Sequence, residues 1–362
     1  MSTASQRPVV SVCMASYNHA PFIRTAVESV LNQSFSDWEL VITDDGSTDG
    51  TLKAIENIRD KRIHVERFPE NRTACVALNH CIRRARGEFI AVLNSDDAWR
   101  PEKLARQLAV MTEQPKTAAV FTLAEMIDER GGPLPQSHCS NGVFQQANRS
   151  RQEWLSRLLL NGNCLCHPSG LIRKSVYDEV GLYDECMAQL PDMDMWIRMV
   201  FEHDIWIIQE PLTRFRILDG ERNASGNRPA VIVRCAAENM FICLKAFRSH
   251  PREMAQLLTS HDALGTDAAH DTSSDALRAV LDVADPGPRL NGMRAAQILW
   301  MYEQLQGRQD WQLCKQFIAA TAAQNAFAVV MPDVAPARNE PLEQSQQSTG
   351  WRGVLSRIGW HH

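Results

Sequence analysis

The chain has 362 residues and a mass of 40.8 kDa, enough for two domains or for one domain with a large appendage. Its 44% hydrophobic and 22% charged residues exclude a wholly disordered chain, and a net charge of −5 gives no bulk attraction to nucleic acid, so no nucleic-acid partner is expected. No apolar run approaches the ~20 residues of a membrane span, the polar segment Met1–Pro8 lacks the apolar core of an export signal, and ten cysteines without framework spacing predict reduced thiols in a cytoplasmic protein.

Taken in chain order, Pro8 to Met14 reads as a strand. Pro21 to Gln33 reads as a helix, with Phe22, Ala26, Val30 and Leu31 near helical spacing. Trp38 to Thr43 is a second strand, and Thr51 to Asp60 a second helix with Leu52, Ile55 and Ile58 on one side. Ile63 to Arg67 is a third strand, Ala74 to Ala85 a third helix and Glu88 to Leu93 a fourth strand. Pro101 to Gln114 is a fourth helix, with Pro101 suited to a first turn. Such alternation predicts a mostly parallel α/β sheet covered by helices on both faces. Past residue 225 the pattern turns helical, over Ala230–Arg248, Ser274–Val283, Arg294–Gln306 and Asp310–Asn325, with a loop over His261–Ser274. The expected organisation is a flexible terminus (1–7), an α/β domain (8–225), a helical C-terminal region (226–333), a linker rich in Pro, Gln and Ser (334–350) and a short amphipathic tail (351–362). In the tail, Trp351, Leu355 and Ile358 share a face near Arg352 and Arg357. That pattern suits a peripheral membrane contact or docking back on the protein.

Two apolar strands run directly into acidic clusters, Asp44-Asp45-Gly46-Ser47-Thr48-Asp49 and Asn94-Ser95-Asp96-Asp97. Each alone is explained by turn formation and helix capping. Two such clusters at the ends of parallel strands would gather carboxylates at the edge where open sheets bind ligands. Gathered carboxylates need solvent, hydrogen bonds or a cation, and an all-oxygen set favours Mg²⁺ or Mn²⁺ over zinc. Cys164-Leu165-Cys166-His167 has no second ligand pair at zinc spacing. His167 is therefore read as lining a pocket or as a hydrogen-bonded buried histidine. Trp99 and Trp196 are read as core residues, with sugar stacking the alternative. Arg83, Arg84 and Arg86 read as a solvated helix end.

The order of motifs resembles the family 2 glycosyltransferases of the GT-A fold, of the bacterial polysaccharide and lipopolysaccharide type. The matching pieces are Val12 to Asn18, Asp44 to Asp49, Glu70-Asn71-Arg72, Ala77-Leu78-Asn79, Ala85 to Glu88, Asn94 to Asp97, His167-Pro168-Ser169, Gly181 to Glu185 and Asp192 to Arg198. The resemblance covers about residues 8 to 225. It implies a Rossmann-like GT-A sheet with a helical C-terminal region and an inverting, metal-assisted transfer from a nucleotide-diphosphate sugar, usually a UDP-sugar. The acceptor it implies is a saccharide or lipid-linked saccharide. Ala15, Ser16, Tyr17, Asp44, Asp45, Arg72, Ser95, Asp96 and His167 would then bind the donor. Asp97, with Asp96, would hold the metal. Asp192 would be the general base, with Asp194 in reserve. Departures from the pattern are Thr73 in place of Gly, Asn94 and Pro191 in place of acids, and Leu218 where Arg-x-His is common. They leave a catalytically silent nucleotide-sugar-binding scaffold as a rival. A sugar-phosphate nucleotidyltransferase is disfavoured by the lack of a Gly-rich basic loop after the first strand, and an NAD enzyme by the lack of Gly-x-Gly-x-x-Gly.

Overall fold

The computed structural model describes residues 7–135, 142–221, 223, 226, 228–260 and 300. The elements in chain order are β1 (Val10–Ser16), α1 (Ile23–Leu31), β2 (Trp38–Asp44), α2 (Thr51–Ile55), β3 (Ile63–Arg67), α3 (Ala74–Arg84), β4 (Phe89–Val92), β5 (Ala98–Trp99), α4 (Lys103–Glu113), β6 (Thr117–Ile127), α5 (Arg151–Asn161), β7 (Leu171–Arg173), α6 (Lys174–Val180), α7 (Pro191–Glu202), β8 (Asp204–Arg216), α8 (Pro229–Ser249) and α9 (Pro251–Ser260). Contacts divide the chain into two compact units, Met1–Arg234 and Cys235–His362.

One sheet orders the strands β3-β2-β1-β4-β7-β6-β8-β5. β3, β2, β1 and β4 are mutually parallel, as the strand–helix alternation predicts. β7 then runs antiparallel to both β4 and β6, and β8 runs parallel to β6. The sheet is therefore mixed. Two reversals cancel, so β6 and β8 end at the same edge as β1, β2 and β4. That geometry brings Arg216, the last residue of β8, to the edge where Asp44 and Asp97 stand. β5 pairs antiparallel with β8 through Ala98 and Arg214, and so fixes the Asn94–Asp97 turn beside Arg216.

Several expected boundaries move for identifiable reasons. β1 begins and ends later than expected because its pairing with β2 continues through Ser16 and Asp44. α2 stops at Ile55 rather than Asp60, where Ile58 N–H turns back to the Ile55 carbonyl and Asp60 binds Arg62 instead. α5 was not expected, although Ser150 and Glu153 form a full capping box at its start. The apolar run Ala118–Ala124 belongs to β6.

The core consists of the inner faces of β1, β2 and β4 packed on α1, with Val10, Val12, Met14, Ile23, Val27, Leu40, Ile42 and Ala91 all buried. At the entry end of these strands a polar knot ties three segments. Ser11 donates to Glu39 at 2.6 Å, the Arg86 backbone and side chain both donate to Glu39, and Gly87 N–H donates to Ser11. Position 87 admits only glycine, because a Cβ there would lie 2.6 Å from the Ser11 backbone nitrogen. The arginines read as a solvated cluster are thus engaged: Arg86 with buried Glu39, Arg84 with Glu66 and Arg83 with Glu185.

The second unit contains most of α8 and all of α9, and within it Phe247 stacks on Trp300 at 5.8 Å. No helix among the described residues is long and apolar enough to cross a membrane. The expected helices over 274–283, 294–306 (Trp300 apart) and 310–325 lie outside the described residues. So do the loop over 261–274, the linker over 334–350 and the tail over 351–362.

Candidate active site

The end of β2 forms the first wall. Asp44 is fully buried and accepts from the Ser47 amide at 2.9 Å, the Ser47 hydroxyl at 2.6 Å and the Ser16 hydroxyl at 3.1 Å. Its carboxylate therefore builds the turn. Gly46 takes φ +78° there, and a Cβ would meet the Glu70 carbonyl carbon at 2.7 Å. Asp45 is buried too. Its Oδ1 accepts from the Arg72 amide at 2.7 Å, while its Oδ2 is buried with no partner. Burial raises the Asp45 carboxyl above the usual range against the Arg72 and Thr73 amides, and the Asp44 charge adds to the rise. A buried carboxylate oxygen without a donor is costly, so Asp45 is poised to accept from a ligand N–H or O–H.

Around that turn the loop after β1 is stitched in place. Asn18, at φ 53°, donates its amide to Ser47 and accepts from Thr48. The His19 amide donates to Thr51, and His19 Nδ1 lies 2.8 Å from Ser95 Oγ. His19 thereby links the loop after β1 to the second acidic turn. Sequence reading missed it, although it follows Tyr17-Asn18 directly. Ala15 is half-buried, Ser16 buried and Tyr17 44% exposed at this edge. Arg72 is exposed, with its guanidinium 4.8 Å above the Phe68 ring. The next residue, Thr73, has φ 87° and ψ 151°, a region that glycine occupies and other residues avoid.

The second turn separates its two aspartates by role. Asp97 is fully buried, with Oδ1 accepting from the Arg216 amide at 2.7 Å and Oδ2 from Asn94 at 2.9 Å. Burial, then the charge of Asp96, pushes its carboxyl well above the usual range. Asp96 is half-buried, and its carboxylate has no hydrogen bond among the described residues. The Arg216 guanidinium holds the Asp96 carbonyl at 2.6 Å and the Asp128 and Glu129 carbonyls at 2.8 Å. Leu218, at the Arg-x-His position, is buried, and Asn223 closes the strand end by bonding the Leu218 amide and the Arg216 carbonyl.

The remaining candidate residues lie on the segment before β7 and at the start of α7. Asp192 opens α7, is half-buried, and accepts from Asn163 Nδ2 at 2.6 Å and from the Met193 amide. Asn163 is a second residue that sequence reading missed, and no motif marks it. Asp194 is buried and paired with Arg198 at 2.8 Å, whose guanidinium also holds the carbonyls of Val180, Gly181 and Leu182. His167 Nε2 lies 3.0 Å from the Tyr183 hydroxyl, and burial lowers its pKa to about 4, so the ring is neutral at pH 7. Tyr183 is fixed in turn by Asn79, which donates to its carbonyl and accepts from its amide. Trp196 is fully buried between Phe121 and His167, a core residue rather than a sugar platform. Cys164 and Cys166 are buried thiols. Burial, with the charges of Asp97 and Asp192 adding to it, pushes the Cys166 thiol well above the usual range.

The sequence profile described as Glycosyl transferase family 2 matches residues 11–181. TuaG of Bacillus subtilis, provisionally named a teichuronic acid biosynthesis glycosyltransferase, is 45% identical over 131 residues, covering 35% of this chain and 51% of TuaG. This chain thus spans about half the length of that relative. EpsE of Bacillus subtilis, provisionally named a glycosyltransferase, is 30% identical over 219 residues, covering 58% of this chain and 73% of EpsE. Among solved structures, Staphylococcus aureus TarS residues 1–349 in complex with UDP-GlcNAc superposes with a TM-score of 0.55 at 18% identity, covering 87% of this chain and 90% of that one. The likeness to TarS is one of fold, and the fold is that of GT-A glycosyltransferases.

Proposed function

From the premise that this chain belongs to glycosyl transferase family 2 and is a glycosyltransferase, we propose that it transfers a sugar, with inversion, from a nucleoside diphosphate, UDP being the first candidate, to a saccharide or lipid-linked saccharide. The observation that carries this reading is the unpartnered, buried Oδ2 of Asp45 at the same sheet edge as the hydrogen-bond-free carboxylate of Asp96. The first suits the N–H of a nucleobase. The second suits a cation that accompanies a diphosphate.

A divalent metal fits these residues. Asp96 and Asp97 offer hard oxygen donors, and the buried Asp97 carboxyl is pushed up by burial and its neighbour's charge, a strain that a cation relieves. Mg²⁺ and Mn²⁺ are commonly held by one or two carboxylates together with substrate phosphates. Asp96 is the better first ligand, because both oxygens of Asp97 already accept protein hydrogen bonds. When bound, such an ion neutralises charge growing on the leaving diphosphate.

Around it, the chain's own groups divide the work. Asp45 selects the base, Ser16 and Tyr17 flank the nucleotide, and Arg72 supplies a cation near the diphosphate. Asp44 and Ser95 act by holding these turns. Asp192 takes the proton of the acceptor hydroxyl as that oxygen attacks the anomeric carbon. Asn163 presents Asp192 to the substrate. The buried ion pair of Asp194 supports a structural role for it instead. Polysaccharide assembly, the process in TuaG's name, is the proposed context. The C-terminal tail is a proposed site of peripheral membrane contact on the cytoplasmic face, tested by liposome co-sedimentation of the full chain against a truncation after Gly350.

A thermal-shift screen of nucleotide sugars with and without Mn²⁺ tests the donor site, because a ligand that binds only the folded chain raises its melting temperature. No shift with any nucleoside diphosphate would remove the donor reading. A shift without transfer or donor hydrolysis would favour the silent scaffold, which the Asn94 amide on Asp97 and the apolar Leu218 support.

A further inference from the structure

Lys103, the first residue of α4, is fully buried, and no part of the proposed chemistry uses it. Its Nζ donates to Gln107 Oε1 at 2.9 Å and sits 3.9 Å from the centre of the Trp99 ring. Burial pulls the amine well below the usual lysine range. Protonated or neutral, it still carries an N–H to donate.

That donated bond decides which way the Gln107 amide faces. With Oε1 turned to Lys103, Nε2 must face the other way, and there it donates to the carbonyls of Val120 at 2.6 Å and Ser169 at 2.8 Å. Trp99, held under the Lys103 amine, donates its indole N–H to the Pro168 carbonyl at 2.8 Å. Lys103 thus organises both side chains that grip the His167–Ser169 turn. Ser169 in turn bonds the Cys166 carbonyl at 2.7 Å. This same segment begins at Asn163, which holds Asp192. On its other side, Trp99 lies two residues beyond Asp97.

We propose that Lys103 is a positioning residue that sets the separation between the Asp96–Asp97 turn and Asp192, acting through Trp99 and Gln107. The inference rests on the roles proposed above for those aspartates. A displacement with inversion needs leaving group and base on opposite faces of one carbon, and a misplacement of about 1 Å costs about 10²-fold in rate. A buried amine with a single hydrogen bond is an expensive way to fill space. As an orienting donor between two turns it has a function that an apolar residue lacks.

The test compares Lys103→Met with Lys103→Gln, each assayed at a temperature where its melting curve shows it fully folded. Gln107 stays in place, because its Nε2 holds the Val120 and Ser169 carbonyls. Lys103→Met strands Gln107 Oε1 and is expected to melt lower. Lys103→Gln keeps a side-chain N–H donor. If Lys103 positions the site, folded Lys103→Met loses about 10²-fold in kcat with KM for the donor unchanged, and hydrogen-exchange protection of the Trp99 indole N–H falls. Lys103→Gln regains part of both. Wild-type kcat in folded Lys103→Met would overturn the proposal and make Lys103 a core residue only. If the wild-type protein turns over no nucleotide sugar, the functional reading fails separately. The indole protection then decides alone: its loss in folded Lys103→Met upholds the link between the two turns, and its retention overturns it.

Discussion

Arg216 donates its backbone N–H to Oδ1 of Asp97 at 2.7 Å, although 119 positions separate the two residues. The bond makes Asp97 a support for the strand end and leaves Asp96 as the carboxylate open to a ligand. Asp97→Ala strands two donors, those of Arg216 and Asn94, and is expected to cost about 1–3 kcal/mol of stability. Asp96→Ala breaks no hydrogen bond, so its stability should stay within about 0.5 kcal/mol of wild type, while Mn²⁺-dependent UDP binding disappears. Chemical denaturation and titration calorimetry measure the two effects. Unchanged Mn²⁺ dependence in Asp96→Ala would move the metal elsewhere.

Asp192 and Asp194 differ in partner though only two residues apart in sequence: Asp192 accepts from Asn163, and Asp194 pairs with Arg198. Asp192→Asn should retain donor binding and reduce transfer by about 10²-fold or more, the usual weight of a general base. Asp194→Asn weakens the pair that holds Arg198 against the 180–182 carbonyls. It should cost about 1–3 kcal/mol of stability, read as a lower melting temperature, and leave the pH profile of transfer unchanged. Near wild-type transfer by Asp192→Asn would remove it as the base.

Thr73 has a backbone conformation that costs a non-glycine residue on the order of 1–3 kcal/mol. Thr73→Gly removes that strain, and glycine's larger unfolded-state entropy offsets about 0.4–1 kcal/mol of it. A small rise in melting temperature is expected. A fall would show that the Thr73 side chain contributes more than the strain it carries.

His167 gives a pH signature with a definite sign. Its folded pKa is lowered by burial to about 4, against about 6.5 unfolded. Between those values the unfolded chain binds the proton more readily, so stability is lost as pH falls from about 6.5 towards about 4. His167→Gln should flatten stability against pH in that window. Burial works to raise the Glu39 carboxyl, but Ser11 and Arg86 outweigh it and hold it below its ordinary value, so Glu39 adds a loss of the same sign at lower pH. Denaturant titrations from about pH 7 down to about pH 3 would read both. An unflattened slope in His167→Gln would assign the dependence to other groups.

The half of the candidate site proposed to bind the donor is legible because strand and acid cluster are adjacent in sequence. Apolar runs ending in Asp44-Asp45 and Asn94 to Asp97 predict β2, β4 and their loops with few boundary errors. The other half depends on pairing between distant segments. Nothing in Arg216 or Asn163 taken alone tells which carbonyl or carboxylate each will meet, because those partners lie 29 to 120 positions away. Lys103 meets Gln107 only four positions on, but Gln107 reaches Val120 and Ser169, 13 and 62 positions further along. Asp96 and Asp97 show the same limit. Their order was read, but their division of labour depends on which one β8 buries.

The knot of Ser11, Glu39 and Arg86 sits at the entry end of the strands whose exit ends carry Ser16 and Asp44, five residues or about 17 Å away. Robustness and the proposed chemistry are therefore addressed at opposite ends of the same two strands. An engineer seeking heat tolerance has a region around Glu39 and Gly87 in which to work without disturbing the carboxylates, since substitutions at that range from one another act nearly independently.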